Sequence, residues 1–166
     1  MPSHEEHKRH VKSVRCAVLT FSDSRTEESD DSGKLIKELL VKSGHEIVAY
    51  HVMKDDLKAI QKAVQDLIAS DVQVIITNGG TGISKKDVTI EAISELLDKK
   101  LDGFGDIFRF LSYEHMGSAA MMSRAIAGTI KSKIVICMPG SVDAVELGMK
   151  KLILPELGHM VWETSK

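Results

Sequence analysis

The chain has 166 residues, 43 % of them hydrophobic, a formal net charge of −2 and 4 % aromatic residues. That length fits one domain with a sizeable core, and the charge and scarce aromatics argue against a basic, base-stacking nucleic-acid surface. No apolar run reaches transmembrane length and the start MPSHEEHKRH lacks the apolar core of a signal peptide, so no membrane partner and a cytoplasmic location are expected.

Residues 1–13 read as a flexible charged leader and residues 14–166 as the folded domain. His4, His7 and His10 recur every third residue in that leader, where a solvated terminus is the expectation over a metal site. Val14–Thr20 is apolar and β-branched and predicts a buried strand. It is followed by Phe21-Ser22-Asp23-Ser24-Arg25 and by an acidic run, Glu27–Asp31, expected to be a mobile solvated loop. A helix over Ser32–Ser43 turns Leu35, Ile36, Leu39 and Leu40 inward and stops at Gly44. His45–Met53 reads as a second strand, Lys54-Asp55-Asp56 as its exit loop, and Asp56–Ala69 as a helix. Asp55 and Asp56 are equally suited to the helix start and to a ligand.

Val72–Thr77 is a third apolar strand. After it stands TNGGTGISKKDVT, then apolar residues at Ile90, Ile93, Leu96 and Leu97, the spacing of a helix over Ile90–Lys100 with Thr89 as its N-cap. Glycines between a strand and a helix allow an anion close to unpaired N–H groups, although a plain tight connection uses glycine too. Spacing excludes a Walker A loop, because Ser84 precedes Lys85, and a dinucleotide fingerprint, because Lys85 stands where its third glycine would be. Helices are expected around Gly105–His115 and over Ser118–Ala125, with Met121, Met122 and Met149 as core filling. Gly128–Ile130 and Lys133–Met138 form a hairpin around Lys131-Ser132. The loop Pro139-Gly140-Ser141 leads into a long helix, Val142 to Trp162, bent or broken at Pro155.

Alternating strands and helices predict a three-layer α/β/α fold: a mostly parallel sheet, helices on both faces, and a short antiparallel edge hairpin. Ligands bind such sheets beyond the carboxyl ends of the strands. Hydroxyls, glycines and carboxylates collect there, which favours a phosphorylated ligand with a divalent cation. Cys16 and Cys137 lie alone in apolar runs and read as buried thiols. No nucleophile–base pair for acyl transfer stands out; when the attacking group is already a phosphate oxyanion, none is needed.

The ordered stretches SDSRTEESDDSG, GHEI, TNGGTGISKKDVTIEAI, GFGDIFRFLS, MMSRAIAG and MPGS resemble the molybdopterin adenylyltransferase family, the MogA/MoaB proteins of molybdenum and tungsten cofactor biosynthesis, and more closely its MoaB branch. The resemblance implies Mg²⁺-dependent transfer of the adenylyl group of ATP to the terminal phosphate of molybdopterin. It implies Asp87 and Asp55 as catalytic and metal-holding residues, and Gly79, Gly80, Thr81 and Gly82 as the phosphate-binding turn. Pro139, Gly140 and Ser141 match a pterin-side loop, and Ser22, Asp23, Ser24 and Ser32 match stretches associated with the ligand cleft. It further implies a homo-oligomer, trimer or hexamer, and a downstream metal-insertion protein as partner. Met53-Lys54-Asp55 replaces a proline common before the acidic residue in relatives. Some MoaB-branch proteins bind the pterin without transferring, so a carrier module is the alternative to the enzyme.

Overall fold

The computed structural model describes residues 4–7 and 10–166. Residues 1–3 and 8–9 of the expected leader, and the side chains of His4 and His7 weighed for a metal, lie outside the described residues. Of the remainder, α1 (His4–His7) is a single turn, the His10 ring stacks on Trp162 with centroids 4.5 Å apart, and Val11 packs against the core.

The domain is built on β1 (Arg15–Phe21), α2 (Asp31–Lys42), β2 (Glu46–Met53), α3 (Leu57–Ile68), β3 (Val74–Asn78) and α4 (Thr89–Ser94). The second half adds β4 (Lys99–Lys100), α5 (Asp102–Met116), a 3₁₀ segment (Gly117–Met122), β5 (Ile126–Ile130), β6 (Lys133–Met138), α6 (Val142–Gly148) and α7 (Leu154–Thr164). The sheet order is β2-β1-β3-β6-β5-β4, parallel from β2 through β6 and antiparallel at β5 and β4.

Side chains alternate across the sheet as the pleat requires. Cys16 and Val18 point to one face, onto Ile36 and Leu40 of α2, Phe108 of α5, and Val145, Leu157 and Val161 of α6 and α7. Ala17, Leu19 and Phe21 point to the other, onto Ile60, Val64 and Ile68 of α3 and Ala92 and Ile93 of α4. Both cores are built largely of fully buried aliphatic residues, each contributing about 1.5–3 kcal/mol by the area it removes from water. Burial also pushes the Cys16 and Cys137 thiols up to about 12, so both stay protonated and inert.

The structure departs from or refines the sequence expectations at several places. The expected helix through Lys100 ends at Ser94: Asp98 N–H donates to Thr129 O and Leu101 N–H to Ala127 O, so the chain leaves the helix to become an edge strand. The expected Ser118–Ala125 helix is the tighter 3₁₀ segment, entered through Gly117 at φ +65°. The interruption expected at Pro155 takes the form of a π-helical turn, Met149–Ile153, just before it: α6 ends at Gly148 and α7 starts at Leu154 with Pro155 in its first turn, where a missing N–H costs least. Met121 and Met122 are 80 % and 49 % exposed and fill no core, whereas Met149 is fully buried as expected. The Lys131-Ser132 turn has φ of +48° and +66°, both positive as a two-residue hairpin of I′ type needs.

Candidate functional site

The parallel strands end at a common rim, and an open cleft of about 400 Å³ lies beyond it. Phe21, Ser22, Ser24 and Arg25 line it from the β1 exit, Asp55 from the β2 exit, Gly79 to Gly82 and Asp87 from the β3 exit, and Pro139 and Gly140 from the β6 exit. Met122 and Ser123 close the remaining side.

Backbone geometry accounts for the glycines. Gly79 and Gly80 have φ of +91° and +66°, the left-handed region that a side chain opposes. A Cβ on Gly79 would stand 2.2 Å from Phe21 O, and one on Gly80 would stand 2.5 Å from Asp55 Oδ1 and 2.3 Å from Thr89 Oγ1. Thr89 is not an N-cap: it is the first residue of α4, and its hydroxyl donates back to Gly79 O at 2.9 Å, pinning the turn. Gly82 has no positive φ, so its requirement is spatial, since a Cβ there would lie 2.6 Å from Asp87 Oδ2. Gly82→Val is therefore expected to push the Asp87 carboxylate aside and, by setting a branched side chain in the turn proposed to take the phosphate, to abolish phosphate-ligand affinity, with a melting temperature within a few degrees of the wild type. Titration of the folded variant with molybdopterin checks it, and near wild-type affinity would place the phosphate elsewhere.

The adjacent aspartates separate. Asp56 Oδ1 accepts from Ala59 N–H at 2.8 Å and caps α3. Asp55 turns into the cleft, where its Oδ1 is buried without a hydrogen-bond partner. Asp23 lies outside the cleft lining, and its Oδ1 accepts from Asp55 N–H at 3.1 Å. Burial, then the nearby Asp23 and Asp87 charges, raise the Asp55 carboxyl above its ordinary range, with Lys86 opposing. Asp87 Oδ2 accepts from Ser84 N–H at 3.1 Å and Ser84 Oγ–H at 2.7 Å, which turns the side chain back over the loop.

A carboxyl whose folded pKa is raised destabilises the fold once it ionises: its stabilising influence is present at low pH and lost as pH rises through the folded value. Asp55→Asn is accordingly expected to melt above the wild type at pH 7 in a chelator. The difference should close as pH falls through the raised value toward the ordinary carboxylate range, about 4. Thermal melts at both pH values test it; a wild type that is the more stable protein at pH 7 contradicts it.

Other expected residues hold the rim without lining the cleft. Ser32 Oγ–H donates to Gly140 O at 2.6 Å, bracing the Pro139-Gly140 loop, and Ser141 Oγ accepts from Ala144 N–H at 3.2 Å as the cap of α6. Lys85 and Lys86 are exposed and lie outside the lining. Sequence reasoning missed Arg25 and Asp30. Asp30, expected in a mobile solvated loop, is fully buried and caps α2 through Gly33 N–H at 3.0 Å. It also accepts from the hydroxyls of Thr20 and Tyr50, each at 2.6 Å. Arg25 Nη1 lies 3.9 Å from Asp30 Oδ1, and Arg25 is the one cationic side chain among the described residues of the lining.

Among the described residues no group of three or more His, Cys, Asp or Glu side chains could hold a metal. The donor set nevertheless fits Mg²⁺, which is usually held by one or two carboxylates together with ligand phosphates and water. Asp55, with its unpartnered oxygen, and Asp87 are the residues that would hold it.

Fold and rim together define an α/β sheet protein with a glycine turn and paired carboxylates at the carboxyl ends of its parallel strands. Residues 17–159 match the family model described as "Probable molybdopterin binding domain". The chain is 57 % identical over 164 residues to molybdenum cofactor biosynthesis protein B of Bacillus cereus, covering 97 % of each, and 51 % identical over 165 residues to that of Bacillus subtilis, covering 98 % of this chain and 97 % of the other. It is also similar to the crystal structure of the tungsten cofactor synthesizing protein MoaB from Pyrococcus furiosus, with TM-score 0.84, 40 % identity, and coverage of 93 % of this chain and 99 % of the other. The chain belongs to the molybdopterin-binding family, in its molybdenum cofactor biosynthesis protein B branch.

Proposed function

We propose that this chain acts in molybdenum or tungsten cofactor biosynthesis by transferring the adenylyl group of ATP to the terminal phosphate of molybdopterin. One observation carries the reading: a buried carboxylate oxygen without a partner, Asp55 Oδ1, packs against Gly80 of the glycine turn, with Asp87 lining the same cleft. A buried acceptor left unmade costs free energy, and a bound cation would satisfy it.

In this reading an oxygen of the pterin phosphate attacks the α-phosphorus of ATP, the bond from that phosphorus to the bridging oxygen breaks, and pyrophosphate leaves with its electron pair. Mg²⁺ held by Asp55 and Asp87 supplies charge neutralisation at the phosphates when bound. The turn Gly79 to Gly82 admits the phosphate chain, Arg25 stabilises anionic oxygens opposite the carboxylates, and Ser22, Ser24 and Ser123 offer hydroxyls for orientation. The attacking oxygen is already ionised, so no general base takes part. Positioning and charge stabilisation suffice.

The exposed row Ile107, Phe110, Tyr113 and Met116 on α5, continued by Met121 and Met122, supports assembly as a trimer or trimer-based hexamer. In this reading the adenylylated pterin passes to a downstream metal-insertion protein. Among the described residues no helix is long and apolar enough to cross a membrane. Incubation with molybdopterin and Mg-ATP, followed by mass analysis, tests the reading. Adenylylated pterin and pyrophosphate are expected; pterin binding without turnover would replace the enzyme by a carrier.

A further inference from the structure

Arg124 stands behind the glycine turn rather than in the cleft, on the wall of a second cavity of about 660 Å³. Its Nε donates to Thr81 O at 2.9 Å, and its Nη2 to Gly82 O at 2.6 Å and to Asp87 O at 3.5 Å. The remaining donors meet Glu91 of α4, Nη1 to Oε1 at 2.5 Å and Nη2 to Oε2 at 3.4 Å. One guanidinium therefore ties both ends of the loop that carries Asp87 and is itself held in plane by a carboxylate. Glu91 is drawn below the ordinary carboxylate range, first by its hydrogen bond to Arg124.

Peptide planarity turns this into an orientation of donors. In a trans peptide the C=O and the next N–H point in opposite directions. Carbonyls of Thr81 and Gly82 fixed on Arg124 therefore aim the N–H groups of Gly82 and Ile83 away from it. Among the described residues those N–H groups, and that of Thr81, make no hydrogen bond. Thr81 and Gly82 line the cleft from that other side.

We propose that Arg124, braced by Glu91, is a positioning residue for the adenylyl transfer proposed above: it presets the peptide planes of the turn and the place of Asp87. The role rests on that functional reading, and it requires the planar fork of arginine. A lysine ammonium at the same place cannot meet carbonyls at three positions and a carboxylate together. Restraining the loop before the ligand arrives removes an ordering cost from the reaction.

The test compares wild type with Arg124→Lys, Arg124→Ala and Glu91→Gln as purified, folded proteins. Single-turnover transfer at saturating molybdopterin and Mg-ATP should fall about 10- to 100-fold in Arg124→Lys, the scale of losing well-oriented stabilising contacts. Glu91→Gln should fall less, because its amide still accepts from one arm of the fork. Methylguanidinium should restore about tenfold of the activity of Arg124→Ala, as expected if orientation and not bulk folding was lost. Amide hydrogen exchange at Ser84, Asp87 and Thr89, whose N–H groups are hydrogen-bonded within the loop, should quicken in Arg124→Lys while exchange in β3 and β1 stays unchanged, marking a local effect. A rate loss that matches the loss of folded protein, with no rescue and no local change in exchange, overturns the proposal. Should the wild type bind molybdopterin without transferring, the functional reading fails separately. The clamp is then judged on molybdopterin affinity and loop exchange, and unchanged values in Arg124→Lys would sink it.

Discussion

Asp87→Asn should lower adenylyl transfer by at least about a hundredfold, equivalent to roughly 2.7 kcal/mol of transition-state stabilisation. The substitution keeps side-chain volume and leaves an oxygen that can accept from Ser84, whose N–H and hydroxyl hold Asp87 Oδ2 in the parent protein. What it removes is charge, on the side of the cleft where Asp55 Oδ1 stands buried without a partner. Molybdopterin affinity should change little, because in the proposed reading the turn and not a carboxylate holds the phosphate. Single-turnover formation of the adenylylated pterin and pterin titration on the same preparations decide it. Equal turnover in the two proteins removes the catalytic role of Asp87, and absence of turnover in the wild type favours the carrier.

Asp30→Ala should be the most damaging of the stability variants, at about 3–5 kcal/mol. The α2 cap accounts for about 0.5–2 kcal/mol, and each buried hydroxyl left without its acceptor for about 1–3 kcal/mol, the terms adding incompletely because they share one carboxylate. Thr20 and the part-buried Tyr50 carry those hydroxyls, and burial, then the Asp30 hydrogen bond, raise the Tyr50 phenol well above its ordinary range, so it stays protonated and cannot escape by ionising. Asn78 Nδ2 donates in turn to Thr20 Oγ1 at 2.8 Å, which extends the network to the residue before the glycine turn. Asp30→Asn, which keeps the cap acceptor, should lose less. Urea denaturation at fixed protein concentration measures both, and a loss below about 1 kcal/mol for Asp30→Ala would show that the network relaxes freely.

The two variants probe residues of very different legibility. Asp87 stands in a glycine turn whose composition alone suggests a phosphate, and the family resemblance singles it out. Asp30 sits in TEESDDSG among other acidic residues, where nothing local distinguishes the one that is buried. Its partners lie at Thr20 and Tyr50, 10 and 20 residues away, and only the sheet brings them together. Asp55 and Asp56 differ for the same reason. Either could cap α3, and the path of the β2 exit past Gly80 decides which one caps and which one faces the cleft.

Read alone, the sequence determined the alternation of strands and helices, both faces of the parallel sheet, and the polar rim at the strand ends. Those features follow from local periodicity, β-branched runs and glycine placement, each contained within a few residues. Tertiary structure decided the remainder. Lys99–Lys100 carries no strand pattern and becomes β4 because β5 offers a free edge. The long helix expected over Val142 to Trp162 is interrupted by a π-helical turn, Met149–Ile153, which nothing in the local pattern marks, and Pro155 falls in the first turn of α7. Arg124 reaches Thr81 across 43 positions to hold the very loop whose glycines announced a site. Contacts of that kind depend on which surfaces the fold brings face to face, and no window of sequence contains them.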